Sequence, residues 1–96
     1  MSKPAKVSPM ELSKRSGVLF QTPFDEFFVE QLKAMVPRPD RWWNGHRKGW
    51  WIATESSEIV FHLARDAFGA IVVVDEDGNE IIHERSGEKL EQGRLL

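Results

Sequence analysis

The apolar positions of the chain fall into blocks whose period changes from one block to the next, and each block predicts an element. Residues 17–21 (GVLFQ) form a short apolar run and predict a first strand. Phe24, Phe28, Leu32 and Met35 then recur at helical spacing, with Phe27, Val29 and Val36 widening the stripe. Asp25, Glu26, Glu30 and Lys33 fall on the wetter side. Thr22 offers a cap, Pro23 suits a first helical position and Asp25 complements the helix dipole. Pro37 and Pro39 stop the run, so the spacing predicts a helix over residues 23–36. A second helix is predicted over residues 56–68, capped by Thr54 or Ser56. Its apolar face is Ile59, Val60, Leu63, Ala64, Ala67 and Phe68, with His62, Arg65 and Asp66 pointing away. Gly69 is placed to end it in the left-handed conformation. Residues 70–74 (AIVVV) are apolar on both faces, as in a central strand. Asp77-Gly78 signals a turn, and residues 80–84 (EIIHE) return as a last strand.

Between the two helices lies residues 36–52, VPRPDRWWNGHRKGWWI, which holds all four tryptophans: Trp42, Trp43, Trp50 and Trp51. Asn44-Gly45 invites a tight turn between two short strands. The element order is then β-α-β-β-α-β-β. It predicts an α+β single domain over residues 17–85, with two helices packed on one face of a mixed or antiparallel sheet. Residues 1–16 show neither period and carry Pro4, Pro9, Lys3, Lys6, Lys14 and Arg15; they read as a flexible N-terminal arm. Residues 86–96 read as a flexible C-terminal tail.

Ninety-six residues make one small domain, in which nearly every large apolar side chain is needed for the core. The absence of cysteine excludes disulfides and thiolate metal sites and fits a reducing, cytoplasmic setting. No apolar run is long enough to span a bilayer, and no membrane partner is expected. The net charge of −2 argues against indiscriminate polyanion binding, yet the charges are sorted along the chain. Arg38, Arg41, Arg47, Lys48 and His46 crowd the tryptophan stretch, opposed there only by Asp40. Asp75, Glu76, Asp77, Glu80 and Glu84 gather elsewhere.

Catalysis finds little support, and the chain reads as a non-enzyme with no catalytic residue, no cofactor and no metal. His46, His62 and His83 are spread over three elements without metal-ligand spacing, and no nucleophile elbow, phosphate loop or dinucleotide fingerprint occurs. What remains is the tryptophan stretch, where rings can stack on bases while cations neutralise phosphates. Strand alternation puts Trp50 and Ile52 on one face, Trp51 and Ala53 on the other. Trp43 and Trp50 are expected in the core, Trp42 and Trp51 as exposed stacking surfaces. The expected nucleic-acid-binding residues are Arg38, Arg41, Trp42, Arg47, Lys48 and Trp51, with the cations converging on one end of the sheet.

The same stretch resembles the repeated core of HARP domains, the small modules attached to annealing helicases, and related N-terminal domains of phage and bacterial helicases. Leu32-Lys33 and Val36-Pro37 stand for the end of the helix, and Trp43-Asn44 for the tryptophan and its turn residue. Lys48 and Trp50 follow Trp43 at the family's five- and seven-residue spacing. Phe20-Gln21-Thr22-Pro23-Phe24 resembles the strand into the helix, and residues 57–68 the second helix. The likeness spans roughly residues 18–70. The chain departs from the pattern where Arg38 and Pro39 follow Pro37 in place of glycine, and where Trp42 separates Arg41 from Trp43. The resemblance implies recognition of DNA, notably forks and single-strand junctions; no motor sequence lies in these residues, so only the binding half would carry over. Two functions are thus expected. The first is a stand-alone nucleic-acid-binding module, DNA favoured, acting as a monomer. The second is a small phage or accessory protein that docks on a protein partner through the same surface, since tryptophan and arginine also dominate protein hot spots.

Overall fold

A computed structural model describes residues 5–84 as one mixed six-stranded sheet with two helices on one face. The strands are β1 (Ala5–Pro9), β2 (Gly17–Gln21), β3 (Arg41–Asn44), β4 (Gly49–Ala53), β5 (Ala70–Val74) and β6 (Glu80–Glu84). They lie in the order β3-β4-β2-β1-β5-β6, and every neighbouring pair is antiparallel except β1 with β5. The helices α1 (Glu26–Met35) and α2 (Thr54–Phe68) pack on each other through the edge-to-face pair Phe28–Phe68. Among the described residues no helix is long and apolar enough to cross a membrane.

The architecture read from the sequence is present, with one strand added. Residues 5–9 belong to the stretch expected to be an arm, but they form β1 and take a place inside the sheet between β2 and β5. The alternation is short but clean: Ala5 and Val7 are buried, while Lys6 and Ser8 point to the other face. The link to β2 is a hairpin extension closed by two Leu12–Arg15 backbone hydrogen bonds of 2.9 Å. Its tip is Ser13-Lys14, both at positive φ, the tight-turn geometry for which Asn-Gly is the usual signal. Residues 1–4 and the tail expected over 86–96 lie outside the described residues.

The core under the helices joins Phe28, Leu32 and Val36 to Val60 and Ala64 of α2 and to Ala5, Val7, Phe20, Ile52 and Ile71 of the sheet. Helix α1 starts later than its apolar spacing suggests. Asp25 is the N-cap, its Oδ1 accepting the Phe28 N–H at 2.8 Å, so Pro23 and Phe24 stay outside the helix. Five members of the predicted apolar faces, Phe24, Phe27, Met35, Ile59 and Ala67, are exposed, Phe24 because it precedes the N-cap. Helix α2 begins at Thr54 without a side-chain cap, and Gly69 ends it at φ 84°. The β5–β6 turn closes at Gly78, φ 88°, around Asp75, whose Oδ1 accepts the Asp77 and Asn79 N–H groups at 2.9 Å. These bonds, that of Asn79 foremost, stabilise the carboxylate and hold its pKa below the usual value.

Candidate nucleic-acid interface

The tryptophan hairpin is built at one edge of the sheet. Beyond α1, Pro37 and Pro39 allow only a short 3-10 turn, Arg38–Asp40, which delivers the chain to β3. Arg41 is fixed there by its Nε, which donates to the Val36 carbonyl at 2.9 Å. The hairpin itself is as expected, but its turn is longer than Asn44-Gly45. Asn44 pairs with Gly49, and residues 45–48 form the connection, with Lys48 rather than Gly45 at positive φ. Asn44 is buried and its Oδ1 accepts the Arg47 N–H at 3.0 Å, while Gln21 Nε2 donates to the Arg47 carbonyl at 2.9 Å. The backbone of the turn is thereby held, and the side chains of His46, Arg47 and Lys48 project into solvent.

The four tryptophans are not arranged as their sequence suggests. Trp43 was expected in the core and Trp51 on the surface; the structure reverses both. Trp51 is only 2% exposed, whereas Trp42 and Trp43 are each 48% exposed. Among the described residues the second face of the sheet carries no helix, but the hairpin extension folds over it. Trp51 Nε1 donates to the Met10 carbonyl at 2.9 Å, and the Arg15 guanidinium lies 5.7 Å from the indole centroid. Gly17 makes the space: a Cβ there would come within 2.5 Å of the Trp51 ring. Trp50, half-buried, meets the edge of Trp43 at 5.5 Å between centroids and carries Lys33 6.0 Å above it.

The cations also differ from expectation. Arg38 and Arg41 stand at the start of β3, and Arg47 and Lys48 beyond its end, so they bracket the strand and do not converge. The span of the four-residue strand is about 10 Å, from a rise of about 3.3 Å per residue. Asp40, the one carboxylate of the stretch, is turned away from them. It accepts the Ser56 hydroxyl at 2.9 Å and Arg15 at 3.1 Å, which together hold its pKa below the usual range. Arg15 also bridges Glu55 at 3.5 Å, and this acidic company raises its pKa, the Asp40 hydrogen bond contributing most. Arg38, Arg41, Arg47 and Lys48 have no carboxylate partner among the described residues.

Two concavities adjoin the edge. A groove of about 260 Å³ lies between Arg38, Arg41, Trp42 and the hairpin residues Leu12 and Arg15. On the helix side a trough of about 320 Å³ is lined by Phe24, Trp43, Lys48 and Trp50. Phe24 is the residue that sequence reasoning missed here. It is 84% exposed beside that trough, and the signal was the capping Asp25 immediately after it. Of the predicted set, Arg38, Arg41 and Trp42 line one groove together with the buried Trp51, while Arg47 and Lys48 lie beyond the other end of the strand, Arg47 lining a separate concavity with Glu11, Asp75 and Glu76. No family model, no curated protein and no solved structure matches the chain.

Proposed function

We propose that the chain is a nucleic-acid-binding module that grips DNA along the β3 edge. The observation that carries this reading is Trp42-Trp43, two consecutive half-open indoles on an edge strand, bracketed by four cations without carboxylate partners among the described residues. Each ring offers a stacking plane worth about 1–3 kcal/mol per base, and each cation a phosphate contact. The two rings point to opposite faces of the sheet, an arrangement suited to a fork, where two single strands leave in different directions. The HARP resemblance of residues 18–70 leads to the same substrate class. A second reading, docking of a protein partner on this surface, draws on Phe24, whose exposed ring flanks the apolar trough beside Trp43.

Titrating tryptophan fluorescence with single-stranded, duplex and forked DNA at two salt concentrations tests the proposal. Binding should weaken steeply with salt, and Arg47→Ala with Lys48→Ala should lower the slope of log K against log salt by about two, one per phosphate contact. No binding to any of the three at about 50 mM salt would sink the reading and put the protein partner in its place.

A further inference from the structure

Among the described residues the sheet ends in two open edges of opposite charge. At the β3 edge stand Arg38, Arg41 and Lys48; Arg47, from the turn after β3, lines a concavity with Glu11, Asp75 and Glu76 of its own chain. At the other stand Glu80 and Glu84 of β6 and the preceding turn residues Asp75, Glu76 and Asp77, with Lys6 4.0 Å from Glu80 as the nearest offset. Every residue of β6 is exposed, and Ile81 and Ile82 place one open isoleucine on each face, as Trp42 and Trp43 do with their indoles on β3. Edge strands present unpaired N–H and C=O groups that template pairing with another strand. Charge decides which pairings are allowed. Two β3 edges would bring six cations together, and two β6 edges would set Glu80 and Glu84 of each against the other. Only the unlike pairing is attractive.

The strand directions make that pairing geometrically simple. From β3 across to β6 there are four antiparallel steps and one parallel step, so β3 and β6 run the same way. A second copy in the same orientation therefore continues the sheet by a parallel β6–β3 pair with all helices on one face. In that pairing Arg38 and Arg41 meet the Asp75–Glu80 end, and Lys48 meets Glu84, so the charges match at both ends. Trp42 shares a face with Ile82, and Trp43 with Ile81.

We propose that this protein self-associates head to tail, the β3 edge of one copy pairing with the β6 edge of the next. The contact is heterologous and leaves an edge open at each end, so it builds chains rather than a closed dimer. One strand pair is a small interface, so the assembly is weak and the expected monomer is its dilute state. The inference is independent of the nucleic-acid reading, although bound DNA would compete for the β3 edge.

Sedimentation of the full chain without nucleic acid tests it. The average mass should rise with protein concentration at low salt and return to one chain as salt is added. Arg38→Glu with Lys48→Glu, and separately Glu80→Lys with Glu84→Lys, should each remain a single chain at every concentration. Neither pair removes a side-chain hydrogen bond seen among the described residues, and the only ion pair either one touches is Lys6–Glu80. An equimolar mixture of the two variants should associate again, as should the protein carrying all four changes, with amide protection appearing in Trp42–Trp43 and Ile81–His83. A parent that stays a single chain, a double variant that associates alone, or a mixture that does not would overturn the proposal. The Glu80→Lys, Glu84→Lys protein keeps every cation of the DNA surface, so failure of self-association is separable from failure of DNA binding.

Discussion

The dipeptide Trp-Trp occurs twice, on neighbouring strands, and the two copies have opposite environments. Trp42 pairs across the ladder with Trp51 and Trp43 with Trp50, so each face of the hairpin carries one ring from each strand. On β4, Trp51 is sealed beneath the hairpin extension and Trp50 packs against the core under α1. On β3 both rings are half open. The residue type and the alternation are the same. What differs is rank in the sheet: among the described strands, β4 has a neighbour on either side and β3 on one side. Trp51 is buried because β4 lies inside the sheet and the hairpin extension covers its face, whereas the edge strand leaves both of its indoles half open.

The strongest way to break this comparison is to remove Trp51. Trp51→Ala should cost about 3–5 kcal/mol by leaving a large cavity, and it orphans the Met10 carbonyl as well. Trp42→Ala, directly opposite, should cost well under half as much; equal shifts of the urea midpoint would show that rank in the sheet is not what separates them. Next in size is Gly17→Ala. Its Cβ would meet the Trp51 ring at 2.5 Å and the Ile52 carbonyl at 2.6 Å, an overpacking expected to destabilise by about 1–3 kcal/mol. A Gly17→Ala protein that melts with the parent would mean the indole does not lie over this position.

For the exposed pair the expected loss is in binding. Trp43→Ala should weaken DNA binding by about 1–3 kcal/mol at unchanged salt slope, since stacking releases no counterions. An unchanged affinity alongside lowered stability would return Trp43 to a structural role. The smallest effect concerns acid. Asp40 has a lowered folded pKa, so its contribution is present above the unfolded carboxylate value of about 3.9 and is lost as pH falls through the lower folded value. Acidification should release Arg15 from its place over Trp51 and change the fluorescence of the buried indole. Asp40→Asn should show that change already at neutral pH, and a variant that titrates like the parent would mean that Asp40 does not hold Arg15 over Trp51.

Most of the architecture was legible in the chain. Both helices, the tryptophan hairpin and the β5–β6 hairpin rest on local signals: helical spacing of Phe28 and Leu32, Pro37 as a stop, Gly69 and Gly78 at positive φ. Strand β1 was not legible. It holds only two buried apolar residues, its hairpin tip is Ser13-Lys14 rather than a glycine turn, and its partner β5 lies more than sixty residues away. The candidate site was legible in part. Its residue types were plain, but Trp43, Trp51 and Phe24 were assigned to the wrong environments because alternation tells which residues share a face and not what covers that face.

The sequence by itself determined the periods, and with them which stretches are helix or strand and which side chains stand together. It also determined the sorting of charge into a basic hairpin and an acidic last strand. The tertiary structure alone decided the order of the strands, since pairing between distant segments leaves no local period to read. From that order followed the rest: β3 and β6 became edges, β1 entered the middle, and the extension after β1 closed over Trp51. A tryptophan is buried or available according to what the whole chain lays on top of it, which is a property of long-range contacts.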